Sequence, residues 1–345
     1  MLTRPKVNNC YVGNKRAAPR LGNSRKERTR NLTQVSDFPS VYTKIGCGAA
    51  RLLEVVGRRR ENDGGTGMTA GVVCIVLGVA LLHATWNALL RSGADRFWSI
   101  VVMSIASASV SLPLTFMLAA PARASWPYIG LSAFLQICYC LVLVRAYREG
   151  DLGSIYPIAR GSSPMLVTIG ALVFAGEKLG LIPLLGIAMV SFGIIGMTFG
   201  RGRSNVSSIV AALATGLFIA SYTVADGIGS RLSRNPQSYA AWLFLFQGAP
   251  MPLVYVAMRS RIAIDPFALE TLKAAGAGVM SLLGYGAIIW ALSLSPMGQV
   301  SALRETSILF AVLMGRIFLG ESLTVNRVVA GVTIAIGAIC LSIGH

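Results

Sequence analysis

The sequence predicts an all-α membrane protein: ten transmembrane helices arranged as two inverted five-helix repeats. Three observations carry that expectation. Of 345 residues, 54% are hydrophobic and only 13% charged, too little polar material to coat a soluble globule of this size. From Met68 onward, ten apolar segments of roughly 18 to 24 residues succeed one another, each long enough to cross about 30 Å of hydrocarbon as a helix. The last five segments also echo the first five.

Residues 1–67 are set apart. They carry 14 Lys/Arg against 5 Asp/Glu, with runs such as "GNSRKERTR" and "VGRRRENDGGTG" and no apolar stretch long enough for a span or a signal-peptide core. This composition predicts a basic, disordered leader. Met68 then opens "MTAGVVCIVLGVALLHATWNALL", which reads as a natural beginning for a membrane protein, so the leader is expected to come from an upstream start codon outside the native protein. The rival reading is an Arg-rich targeting leader, against which its acidic residues argue. A native peptide from residues 1–60 in mass spectrometry would refute the first reading. Beyond it, 17 Lys/Arg against 9 Asp/Glu are spread over short loops, a pattern that gives no reason to invoke nucleic acid. Cys74, Cys138, Cys140 and Cys340 fall in apolar segments and Cys10 and Cys47 in the leader, so no disulfide framework is expected.

The expected spans are 70–90, 98–119, 126–146, 152–175, 179–200, 206–225, 239–258, 272–294, 297–319 and 323–343. With an offset of 144, Arg160 falls on Arg304, Phe174 on Phe318, Gly176 on Gly320, Glu177 on Glu321 and Gly193 on Gly337. With an offset of 136 to 137, "ATWN" at 84–87 meets "ASYT" at 220–223, and Pro113 meets Pro250. The repeats are therefore 68–203 and 204–345, with five spans in each. An odd number makes the second copy enter the membrane from the opposite side, an arrangement common in secondary transporters whose sites lie between the repeats.

Arg160 stands in the fourth span, in "SIYPIARGSSPMLVTIGALVFAGEKLG". A guanidinium at such depth costs about 2.5 to 3.5 kcal/mol on insertion scales, so it should face a cavity or a partner. Pro157, Gly161 and Pro164 predict a kinked or unwound helix there, which membranes tolerate only where backbone is buried in protein or lines a cavity. "LRETS" in the ninth span has no proline, so that helix is expected to run on past Arg304 and Glu305. Two readings of the charges compete. Arg160 and Arg304 bind a substrate carboxylate or phosphate through their fork geometry, or Glu305 pairs with an arginine and locks the halves together. Glu305 also reads as the only acid at this depth, hence the candidate for proton coupling.

The first span presents His83, Trp86 and Asn87 on one face. Tyr156 beside Arg160, Gln136 and Tyr139 in the third span, and Tyr285 with Trp290 in the eighth complete the candidate lining, although such aromatics are commonly core. Gly248, Pro250 and Pro252 predict a bend in the seventh span. Glu177 and Glu321, in "GEKL" and "GESL", read as punctuation between hairpin helices, each acid favoured by the dipole of the helix that follows.

Ten spans in two repeats, "LLHATWNALL", "YPIARGSSP" and the repeated "GE-x-L" turn resemble the drug/metabolite transporter superfamily, and within it the EamA-type family. The resemblance covers the chain from Met68 onward. It implies a ten-helix inverted-repeat fold and transport of small metabolites, often outward, such as amino-acid-like compounds or organic anions, in the cell inner membrane. No cofactor is expected, protons are the candidate coupling ion by way of Glu305, and a monomer or homodimer is expected. A flippase for a lipid-linked intermediate is the alternative. An enzyme is disfavoured: the histidines are His83 and His345, and no H-E-x-x-H, paired carboxylate or nucleophile elbow appears. The family pattern implies both termini in the cytoplasm. The loops argue otherwise, since nine basic residues (Arg91, Arg96, Arg145, Arg148, Arg201, Arg203, Arg259, Arg261, Lys273) stand on one set of loops and four (Arg123, Lys178, Arg231, Arg234) on the other.

Overall fold

The computed structural model describes residues 68–90, 95–149, 152–198, 206–259, 264–319 and 324–343. All of them belong to the unit Val55–His345. The expected leader, Cys10, Cys47 and Glu321 lie outside the described residues, among which every regular element is a helix. Among the described residues, eight helical stretches are long and apolar enough to cross a membrane, and Leu181–Gly196 is a shorter apolar helix.

In chain order the helices are α1 (Ala70–Leu90), α2 (Arg96–Met117), α3 (Trp126–Glu149), α4 (Leu152–Ala175), α5 (Leu181–Gly196), α6 (Val206–Leu232), α7 (Pro236–Gly248), α8 (Met251–Arg259), α9 (Leu269–Leu294), α10 (Met297–Glu305), α11 (Ser307–Leu319) and α12 (Val325–Ile343). Helix is the form that lets an apolar run satisfy its own backbone in lipid. The ends obey local chemistry. Asp95 caps α2, its Oδ1 accepting from the N–H groups of Phe97 and Trp98 at 3.0 and 3.1 Å, and Asn235 caps α7 ahead of Pro236. Gly176, at φ 66°, closes α4 while the Glu177 N–H reaches back to Ala171 O at 3.1 Å.

The helix interruption falls in the ninth span, expected to be continuous, and not in the fourth, where unwinding is the expected alternative to a kink. The fourth span stays one helix with Pro157 and Pro164 inside it, and the ninth is interrupted, α10 ending at Glu305 and α11 starting at Ser307. Pro164 leaves the Arg160 carbonyl without its helical donor, and the Ser163 hydroxyl replaces it at 3.2 Å. In the ninth span the Thr306 N–H and hydroxyl both turn to Leu303 O, at 3.2 and 2.7 Å, tightening the chain into a 3₁₀-like turn with no proline required. The bend in the seventh span falls where expected, between Gly248 and Met251. The sixth helix runs to Leu232 rather than 225, which carries Asp226 into the bundle.

α4 packs most extensively on α6, α5 on α12 and α3 on α6; α2 meets α7 and α9, α1 meets α9 and α11, and α10 crosses α4. α5 and α12 approach backbone to backbone: a Cβ on Gly186 would stand 2.9 Å from Gly337 O, and one on Gly193 3.2 Å from Ala330 O. The outer surface is apolar, with Phe116, Phe174, Leu181 and Phe192 exposed as lipid-facing side chains would be.

Candidate functional site

α1, α4 and α10 bring four polar side chains together. The Arg160 guanidinium donates from Nη2 to His83 Nε2 at 2.6 Å. Because arginine only donates, His83 accepts there and keeps its proton on Nδ1. Arg160 Nε stands 2.9 Å from Glu305 Oε2, an ion pair whose angle falls short of a hydrogen bond, and Arg304 donates from Nη2 to Glu305 Oε1 at 3.2 Å. One carboxylate thus serves two guanidiniums. Glu305 is fully buried, Arg160 and Arg304 nearly so, and Arg304 Nε has no hydrogen-bond partner among the described residues. Two cations against one anion leave the cluster a net positive charge of one.

The remaining candidates fall into two groups. Trp86 sets its ring edge-on to His83 at 4.9 Å, Asn87 donates to His83 O at 2.8 Å, and Tyr156 lies under the Arg160 guanidinium, 5.6 Å from ring centre to Cζ. His83, Asn87 and Tyr156 line a cavity of about 200 Å³, together with Pro157, Met197, Ser307, Ile308 and Arg327. It sits at the end of the bundle where α1 and α5 finish and α4 and α12 begin. Arg160 is therefore immediately behind its wall, and the break after Glu305 delivers Ser307 and Ile308 to its lining.

Tyr139 and Tyr285 belong to a second group around a residue the sequence reading missed. Asp226 on α6 is fully buried. Its Oδ2 accepts from Tyr285 at 2.6 Å and lies 3.5 Å from Gln136 Nε2, and its Oδ1 accepts from Tyr239 at 3.0 Å. Gln136 also donates to Ser132 at 3.0 Å. Tyr222, one turn before Asp226, contacts the rings of Tyr139 and Tyr285 edge-on at 5.8 and 6.1 Å. Trp290 is buried on α9 but joins neither group by a hydrogen bond or ring contact. Glu305 is consequently not the only deep acid. The missed signal was the spacing of Ala220, Thr223, Gly227 and Ser230, one small-residue helix face that continues past the acid, all of it buried.

Glu177 also departs from its expected role. Rather than serving α5, which begins only at Leu181, it accepts the N–H of Met297 at the start of α10 at 2.8 Å and pairs with Arg231 from the end of α6. Arg231 donates further to Leu292 O and Ser295 O, at 3.1 and 2.9 Å, where α9 ends. α4, α6, α9 and α10 are tied at this end, opposite the cavity.

Residues 206–343 match the model described as the EamA-like transporter family, part of the drug/metabolite transporter superfamily. Members of this family are membrane transporters of small molecules, not enzymes. No curated relative matches the sequence. A solved structure titled only as a crystal structure of a protein shares the fold, with a TM-score of 0.66 at 18% identity over 81% of this chain and 99% of that one. That share exceeds the segment 206–343, so the common fold extends into the first half.

Proposed function

We propose that this chain, a member of the EamA-like transporter family through residues 206–343, moves small metabolites carrying a carboxylate or phosphate by alternating access between two inverted repeats, 68–203 and 204–345. The observation that carries the reading is the buried Arg160–Glu305–Arg304 cluster, net positive and directly behind the cavity wall. A buried guanidinium with spare donors suits the paired oxygens of a carboxylate or phosphate. Glu305 holds both arginines in place, and His83, Trp86, Asn87 and Tyr156 shape the approach. Tyr139 and Tyr285 support the site from behind, and Trp290 stands outside it.

The contacts support the repeats. Shifting 186 by 144 gives 330, and shifting 337 back by 144 gives 193, so the pair Gly186–Gly337 becomes the pair Ala330–Gly193, and both are close approaches. The packing of α4 on α6 has its counterpart in α11 on α1, and that of α3 on α6 in α9 on α1. A dyad between α5 and α12 accounts for each. Alternating access is supported by the asymmetry of the two ends: the cavity stands at one, and the Glu177–Arg231 latch closes the other. With the termini in the cytoplasm, as the family pattern implies, the cavity faces outward from the inner membrane.

An uptake screen of carboxylate and phosphate metabolites in proteoliposomes, comparing the unaltered protein with Arg160→Ala, tests the reading. A transported anion whose flux Arg160→Ala leaves unchanged would overturn the binding role.

A further inference from the structure

Asp226 lies outside the cluster proposed to bind the anion, yet it is the more unusual acid. Glu305 has a guanidinium on each oxygen. Asp226, equally buried, has only hydroxyl and amide partners among the described residues: Tyr239 from α7, Tyr285 from α9, and Gln136 beside Ser132 from α3. Of the charged groups on the packed elements, Arg304 on α10 bears on it electrostatically from beyond bonding distance. Arg160 on α4 bears on Tyr222, a turn away, and Arg231, a turn further along α6, is engaged with Glu177. Neutral partners adapt to both states of a carboxyl, because a tyrosine hydroxyl donates to the anion and accepts from the acid. A buried charge with no ion partner is costly in a membrane and marks an ion or proton pathway.

We infer that Asp226 is the proton-binding site of the bundle, and that its proton is linked to anion occupancy at the Arg160–Arg304 pair. Ionised, Asp226 and Glu305 balance the two guanidiniums and the buried charge sums to zero. A proton from the aqueous phase on one Asp226 oxygen raises the sum to one positive, which an anion neutralises. Each ligand then favours the other, and the linkage is reciprocal. Tyr222 stands within electrostatic reach of Arg160, Arg304 and Glu305 as well as of Asp226, and its ring meets that of Tyr285, which bonds Asp226. The linkage rests on the transport reading; the protonation does not.

The test is infrared difference spectroscopy of the full chain in nanodiscs between alkaline and acid pH, with no solute added. Beside the bands of exposed carboxyls such as Asp265 and Glu270, the expected result is a separate deuterium-sensitive carbonyl stretch of one buried carboxylic acid, lost in Asp226→Asn, displaced in Tyr285→Phe by loss of its hydrogen bond, and kept in Glu305→Gln. If Asp226→Asn does not fold, Asp226→Glu must displace the same band. Absence of the band from the unaltered protein, or its persistence unshifted in the Asp226 variants, overturns the inference. Because no transport is measured, this failure is distinct from a negative uptake screen.

Discussion

Arg160 on α4 lies 2.9 Å from Glu305 at the last residue of α10, and this buried pair joins an unbroken helix that contains two prolines to an interrupted one that contains none. The interruption places the acid where a backbone turn, rather than a continuous helix, presents it to both arginines. A mid-helix 3₁₀ turn is a common hinge. Glu305 therefore combines charge pairing with a position at a helix break.

Because Glu305 serves two guanidiniums, removing it is expected to cost more than removing either arginine. Glu305→Gln strands two buried cations, and loss of one member of a buried pair costs about 3–5 kcal/mol. Arg160→Ala leaves Glu305 still paired with Arg304. Thermal unfolding in detergent, followed by size-exclusion chromatography, should rank Glu305→Gln below Arg160→Ala. The reverse order would refute the sharing.

For transport the ranking turns round in meaning. Arg160→Ala removes the guanidinium behind the cavity and should lower uptake about ten- to hundredfold, matching ~1.5–3 kcal/mol for a charge-assisted hydrogen bond. Arg160→Lys keeps the charge but loses the fork, and should recover only part of the flux.

Arg231→Gln should loosen the closed end. Ser295 is buried there, its carbonyl bound by Arg231. In a background lacking the native cysteines, Ser295→Cys should react slowly with a maleimide and severalfold faster once Arg231→Gln is added. Equal rates would show that the latch does not hold that end shut.

The α5–α12 crossing should not accept side chains. Gly186→Leu or Gly193→Leu meets backbone within about 3 Å, and overpacking of this kind costs ~1–3 kcal/mol. Gly78→Ala, with nothing within 4 Å of the new Cβ, should be neutral or slightly stabilising. Folded yield after membrane extraction distinguishes them.

Orientation is open to a direct measurement. Exposed Gln237, at the start of α7, suits a cysteine label at one end, with exposed Asp265 reporting the opposite end. With cytoplasmic termini, Asp265→Cys is labelled from outside intact cells by an impermeant reagent and Gln237→Cys only after permeabilisation. The opposite pattern would side with the loop charges.

The helices, most of their ends and the bend at Gly248 were legible along the chain, because hydropathy, capping residues and the glycine–proline run act within a few residues of themselves. The sequence also marked Arg160, Arg304 and Glu305 as charges deep enough to need a cavity or a partner, and His83 as part of a polar stripe on the first span. What they touch was settled by packing. That Glu305 lies between two arginines, that Glu177 serves α10 rather than α5, and that Asp226 is held by tyrosines from two other helices all depend on neighbours far away in the chain. Even the helix breaks obeyed this division. A proline removes a donor, but whether the helix yields depends on whether another group, here the Ser163 hydroxyl, reaches the orphaned carbonyl.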